Sequence, residues 1–468
     1  MTTATALPAA ADDGRWYLDS YNIPTAHADG YTGEGVTVAI LDGPINMELP
    51  TLANADITVH EPSYCRDEET GEELPATSTD ISGRQGAFHG TNMAAHLVGT
   101  GDAGGVEGVA PGVTMLHYTV SQGDGVVAGG ENIVCFDEDG FPAQGAALND
   151  AMNQAMDDGA DVISISSGYA AGEFFDDAYP RAMNEGVIVL GSVSNTNDLM
   201  IGGWAPGGAN GAVGVEAGEQ DGTVKKVTEP YSGESVQASN MGTRVVGPSV
   251  AIRMQGTRDE GDVKGSWDTV VSNGGTSTAT PIVAGFIALA WQKYPEATGN
   301  QMIQTLIHNT GVGGHPDELF WNENSGFGLA SATSMLEVDP TRYPDVNPLL
   351  TQGEYNGYGN VNIPGYDEIL DPAGPPSDED ERTEADPTAE YDEEQVESGI
   401  GVMQATLVAV GIVLGLLFVG ALTVGFVFVF RRRGRALRSE AARMQANPYG
   451  QHPPPPQGPP LPPPPYGP

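Results

Sequence analysis

The run VTVAILDG, Val36–Gly43, reads as one strand and its end. From Val36 to Leu41 it is apolar and β-branched, so it suits a strand buried within a parallel α/β sheet. Asp42 and Gly43 close it, and the carboxyl ends of such strands are where open sheets present functional groups. Two distant stretches carry matching chemistry: FHGTNMAAH around His89 and NGGTSTATPIVAG around Ser277. Each opens a segment with helical apolar spacing, Met93, Leu97 and Val98 in one, Val283, Phe286, Ile287 and Ala290 in the other. His89 and Ser277 are therefore expected to project from helix N-termini into the crevice at Asp42.

An acid, an imidazole and a hydroxyl then follow in the order Asp, His, Ser. A serine hydroxyl is a poor nucleophile at neutral pH. It attacks a carbonyl when a histidine takes its proton and a carboxylate holds that ring in the right tautomer. Gly274, Gly275 and Thr276 allow a tight backbone approach before Ser277, whose amide is then placed to meet a developing oxyanion. Pro281 is tolerated because it is expected near the first helical turn. Each of these residues taken singly is more often structural, and only their combination carries the chemistry.

These segments resemble the subtilisin-like proteases. TGEGVTVAILDGPI is similar to that family's aspartate strand, HGTNMAAHLVGTG to its histidine helix and GTSTATPIVAGFIALA to its serine helix. VEGVAPGVTMLHYTV resembles the strand after the histidine helix. ALNDAMNQAMDDGADVISISSG resembles the next helix, strand and substrate edge, which falls on Ser166, Ser167 and Gly168. GVIVLGSVSNTN resembles the strand that ends at the oxyanion-hole asparagine, here Asn195. The likeness runs from about Gly14 to Glu337. It implies a doubly wound α/β domain with a mainly parallel sheet, over about 14–340, that hydrolyses peptide bonds in peptide or protein substrates without an organic cofactor.

RWYLDSYNIPTAHADGYTGEGVTVAI, together with a single membrane span and short tail, is similar to the mycosins, membrane-anchored subtilisin-like proteases of type VII secretion systems. That likeness implies a membrane secretion complex as partner, in which the domain could also serve as a scaffold. A general cell-surface protease of the same family is the competing assignment. Departures from the family pattern are local. Gly43 and Pro44 follow Asp42 where Ser or Thr and then Gly are usual, so the support of that carboxylate is expected to differ. Asn92 and Ile282 stand where histidines are common, and Ser194 replaces the glycine before Asn195. Ser192 and Val193 are expected to contribute to a specificity pocket.

The chain has 63 acidic and 19 basic residues, a formal net charge of −44, so phosphate backbones would be repelled and a nucleic-acid role is excluded. Its two cysteines, Cys65 and Cys135, lie in polar loops between core elements and are expected to pair, which points outside the cytoplasm. The remaining histidines show no shared metal-ligand spacing. The acidic loop Asp67–Glu73 offers candidate calcium ligands without ordered spacing, so no metal site is assigned.

Residues 402–430 are uncharged and long enough to span a bilayer with some tilt, and Arg431, Arg432, Arg433, Arg435 and Arg438 follow at once. The positive-inside rule places the tail, 431–468, in the cytoplasm and the protease domain outside. The segment 341–398 is expected to be an acidic stalk, with eleven carboxylates and one arginine between Asp378 and Glu397. The tail ends in a polyproline tract. The leader, 1–13, has neither a basic cluster nor an apolar core, so an upstream start or a processed form is expected, and no folding propeptide.

Overall fold

The structure, a computed structural model, describes residues 13–67, 70–83, 86–122, 135, 144–167, 169–170, 178–196, 204–228, 233–257, 265–311 and 319–350. The chain divides into two compact units, Met1–Gly374 and Pro375–Pro468, and every described residue lies in the first. The expected leader, most of the stalk, the membrane span and the tail lie outside the described residues. Among those described, no helix is long and apolar enough to cross a membrane.

Seven strands form the central sheet: β1 (Thr37–Asp42), β2 (Ile57–Val59), β3 (Thr114–Thr119), β4 (Val162–Ile165), β5 (Ile188–Ser192), β6 (Val213–Gly218) and β7 (Val245–Pro248). Their order is β7-β6-β5-β4-β1-β3-β2, and every pairing is parallel. Register aligns Asp42 of β1 with Thr119 of β3, and Leu41 with Ile165 of β4. The functional ends of β1 and β4 are thereby side by side.

Alternation along β1 divides the core. Val38 and Ile40 face a layer holding the helices Phe88–Val98 and Thr276–Lys293, while Ala39 and Leu41 face Leu148, Met152 and Tyr179 from the helices Gln144–Asp157 and Ala178–Glu185. Helices on both faces make the sheet doubly wound, as expected from the apolar run of β1. The helix Thr276–Lys293 is buried on almost every side from Thr276 to Ala290, so it runs through the core rather than along its surface.

Pro281 is the sixth residue of that helix, just past its first turn. Its missing N–H leaves the Ser277 carbonyl without its usual helical donor. The Ser166 hydroxyl donates to that carbonyl instead, at 2.8 Å.

Cys65 and Cys135 form a disulfide, with Cα atoms 4.5 Å apart across a sequence separation of 70. The compact domain continues beyond the expected end at 340. Leu349 is fully buried and its carbonyl accepts from the Gly211 amide at 3.3 Å, while Asn347 Nδ2 donates to the Gly211 carbonyl at 2.8 Å. Packing against a distant loop, invisible to composition, carries the boundary past Leu349.

Candidate active site

Asp42 ends β1 and is buried, with its side chain only 3% exposed, while the His89 side chain is 29% exposed at the start of the helix Phe88–Val98. Asp42 Oδ1 lies 2.7 Å from His89 Nδ1 and also accepts from the Gly43 amide at 2.7 Å. That carboxylate fixes the ring's proton on Nδ1 and leaves Nε2 as the basic nitrogen. Gly90 makes the approach: a Cβ there would sit 2.4 Å from the Gly43 carbonyl oxygen and 2.6 Å from that of Pro44. Only a glycine lets the histidine helix reach the turn after Asp42.

The support of the Asp42 carboxylate is one-sided. Its Oδ2 is buried and finds no hydrogen-bond donor among the described residues. An unmet buried acceptor costs about 1–3 kcal/mol or more, so the His89 and Gly43 contacts to Oδ1 carry the carboxylate. Behind it, His117 Nε2 donates to the Gly43 carbonyl at 3.0 Å and lies 3.2 Å from Thr119 Oγ1. Burial pushes the His117 pKa down to about 4, against the pull of the Asp42 charge. His117 is therefore a neutral strut under the Asp42–Gly43 turn.

Ser277 is the second residue of the buried helix, at its N-terminal mouth. The helix start is tied to two strand ends: Ser166, just after β4, bonds the Ser277 carbonyl, and Thr276 Oγ1 donates to the Val193 carbonyl, just after β5, at 2.7 Å. Asn195 Oδ1 accepts from the Thr276 amide at 3.1 Å, which assigns the orientation of that side-chain amide. A Cβ on Gly275 would lie 2.3 Å from Asn195 Oδ1 and 3.1 Å from Nδ2. The glycines before Ser277 therefore admit the asparagine side chain.

Of the expected backbone edge, Ser166 is buried and its hydroxyl braces the serine helix, Ser167 is half-buried, and Gly168 lies outside the described residues. Beyond it, Tyr169–Ala170 pairs antiparallel with Trp204–Ala205. Ser192 and Val193 are buried at the end of β5, where Gly207 packs on the carbonyls of Gly191 and Ser192. Among the described residues, no group of three or more His, Cys, Asp or Glu side chains gathers to hold a metal ion.

Three residues under the site escaped the sequence reading: Glu216, Lys225 and Asn240; His117, read with the other remaining histidines as structural or solvated, is structural. Glu216 is 1% exposed on β6; its carboxylate accepts from the Ala217 amide at 2.8 Å and from Asn240 Nδ2. The signal available for one of them was a lone acidic residue inside an apolar strand run, Glu216 in VGVEAG.

The chain matches the Subtilase family over residues 33–328. It is 27% identical over 366 residues to fervidolysin of Fervidobacterium pennivorans, covering 75% of this chain but only 47% of that protein. It is 26% identical to subtilisin E of Bacillus subtilis (strain 168), covering 62% of this chain and 64% of the relative. The chain thus spans about half of fervidolysin and under two thirds of subtilisin E. Among solved structures it is similar in fold to MycP1 from Mycobacterium smegmatis, with a TM-score of 0.51 and 20% identity over 75% of this chain and 91% of that one. With the family match spanning more than half of its length, the chain belongs to the Subtilase family of serine endopeptidases.

Proposed function

We propose that this protein is a membrane-anchored serine endopeptidase in which Ser277 attacks, His89 shuttles the proton, Asp42 orients His89, and Asn195 with the Ser277 amide holds the oxyanion. The observation that carries the reading is the 2.7 Å contact between Asp42 and His89 at the carboxyl end of β1. His89 Nε2 takes the proton as Ser277 Oγ bonds to the substrate carbonyl carbon, and the carbonyl π electrons move onto oxygen. Two donors meet that charge: Asn195 Nδ2, left over when Oδ1 accepts from Thr276, and the Ser277 amide, in a helical turn that offers it no internal acceptor. Collapse expels the amine, which takes the proton from His89, and water repeats the sequence on the acyl-enzyme. No organic cofactor enters these steps.

The substrate is an extended peptide or protein segment that pairs with the backbone edge at Ser166, Ser167 and Gly168. The span 402–430 anchors the chain as a single-pass membrane protein, with the protease domain outside the cell, the Arg-rich tail inside, and a type VII secretion complex as partner. The mycosin likeness of the N-terminal segment and the span supports this finer assignment. A membrane-impermeant fluorophosphonate applied to intact cells tests it. The wild type is expected to label and Ser277→Ala to lose all label without loss of fold. Label persisting in Ser277→Ala overturns the nucleophile, and label that appears only after lysis overturns the topology. Secretion sustained by the unlabelled Ser277→Ala chain would instead favour a scaffold role.

A further inference from the structure

The oxyanion hole proposed above has two limbs, the Ser194–Asn195 segment after β5 and the Gly274–Ser277 segment that opens the buried helix. Both rest on one polar cluster, in which Glu216 and Asn240 are buried and Lys225 is half-buried. Asn240 Nδ2 donates to the Ser194 carbonyl at 3.1 Å and to Glu216 Oε2, and Asn240 is itself buried. Lys225 Nζ donates to the Gly274 carbonyl at 2.9 Å, and its charge acts on Glu216. Lys225 is tied to the same strand, since its amide donates to the Ala217 carbonyl at 2.8 Å.

We infer that Glu216, through Asn240 and Lys225, is a positioning residue that sets the geometry of the oxyanion hole. The inference rests on the assignment of Asn195 and the Ser277 amide as the two donors. The carboxylate fixes which way the Asn240 amide faces: with Oε2 as acceptor, Nδ2 must turn toward both Glu216 and the Ser194 carbonyl, and Oδ1 is left without a donor among the described residues. Protonating Oε2 would set a hydroxyl against the Asn240 NH₂, two donors facing each other, and would release the Ser194 carbonyl along with it. Lys225 does the matching work on the other limb. Its ammonium caps the Gly274 carbonyl, two residues before Thr276, whose amide meets Asn195, and its positive charge favours the ionised Glu216 carboxylate.

The charge state is delicate. Burial pushes the Glu216 pKa up to about 7, against the pull of the Ala217 amide, Asn240 and Lys225. The same burial pulls the Lys225 pKa down, opposed by Glu216 and Glu219. Among the described residues, Lys225 is the charged side chain that acts on Glu216, and Glu219 flanks Lys225. The neighbouring strands β5 and β7 contribute only uncharged side chains. The hole is therefore held in register above about pH 7 and loosened below it.

The test is the second-order rate of fluorophosphonate labelling in the full-length chain, because the probe's phosphoryl oxygen occupies the oxyanion hole. Glu216→Gln is expected to label about tenfold more slowly than wild type at pH 8, a donor displaced rather than removed. That ratio should fall toward one below pH 6.5, where the wild-type carboxylate is itself protonated; any pH dependence common to the two proteins cancels in the ratio. On a cleaved peptide the loss should appear in kcat with KM unchanged. A ratio under twofold at pH 8, or one that does not vary with pH, overturns the inference. Should Glu216→Gln show no cooperative melt, Lys225→Met and Asn240→Ser take its place with the same expected slowing, and both remaining within twofold overturns it. Label surviving Ser277→Ala would mark failure of the triad assignment, a result separate from any effect at Glu216.

Discussion

Replacing Gly275 with alanine isolates the oxyanion asparagine without touching it. At Gly275 φ is −118°, a value open to any residue, so the substitution carries no backbone strain and acts only through its new methyl. That methyl would stand 2.3 Å from Asn195 Oδ1, where ordinary contact begins at 3.4 Å, so the side-chain amide must retreat by about 1 Å. Asn195 is exposed and can swing outward, giving up its 3.1 Å bond from the Thr276 amide. The stability cost is that of one partly exposed hydrogen bond, about 1 kcal/mol. The catalytic cost is larger. A misplacement of about 1 Å in a reacting constellation costs on the order of 10²-fold. Full loss of such a donor costs about 2.7–4 kcal/mol, a magnitude established on a subtilisin, a relative of this chain, rather than on this chain itself. We therefore expect kcat for a cleaved peptide to fall about 10²-fold in Gly275→Ala with KM and the melting midpoint nearly unchanged. Asn195→Ala should fall at least as far, and the double variant no further, since both remove one interaction. A Gly275→Ala enzyme within threefold of wild type, or losses that multiply in the double variant, would refute the placement of Asn195 in the hole.

Two other perturbations test the support beneath the site. His117 is buried with its pKa pushed down to about 4 from an ordinary value of 6.5, so the unfolded chain binds the extra proton first on acidification. Stability should be intact above pH 6.5 and decline by about 3 kcal/mol as pH falls toward 4. The urea midpoint should accordingly drop between pH 7 and 5 in the wild type and drop less in His117→Asn; equal slopes would remove His117 as the cause. Reduction of the Cys65–Cys135 bridge, which closes a sequence separation of 70, should lower stability by about 4 kcal/mol at most, read as the shift in urea midpoint on adding dithiothreitol. An unchanged midpoint with both thiols titratable would show that the loops are held by packing alone.

Much of this domain could be read from the chain. The apolar run before Asp42, the spacing after His89 and Ser277 and the strand before Ser166 have a local cause, burial on one or both faces, and each lies where its periodicity placed it. Residues whose role depends on distant partners were not legible. Ser166 read only as part of a backbone edge for a peptide, and nothing local shows that its hydroxyl donates to the Ser277 carbonyl, 111 residues away in sequence, in place of the N–H that Pro281 lacks. The domain boundary was set too early because Leu349 is held by Gly211, a contact that no composition shift announces.

The sequence by itself determined the family chemistry: an acid closing a buried strand, a histidine and a serine each opening a helix, and an asparagine after another strand, because these are properties of local pattern. Tertiary structure alone decided how those groups are held. The Asp42 carboxylate leans on Gly43 and His89 with one oxygen and leaves the other unmet, Gly90 and Gly275 clear space for close approach, and Glu216 through Asn240, with Lys225 at Gly274, braces the oxyanion segments. Such contacts join residues far apart in the chain, and their energies depend on burial, which exists only once the sheet and its two helical layers have closed around them.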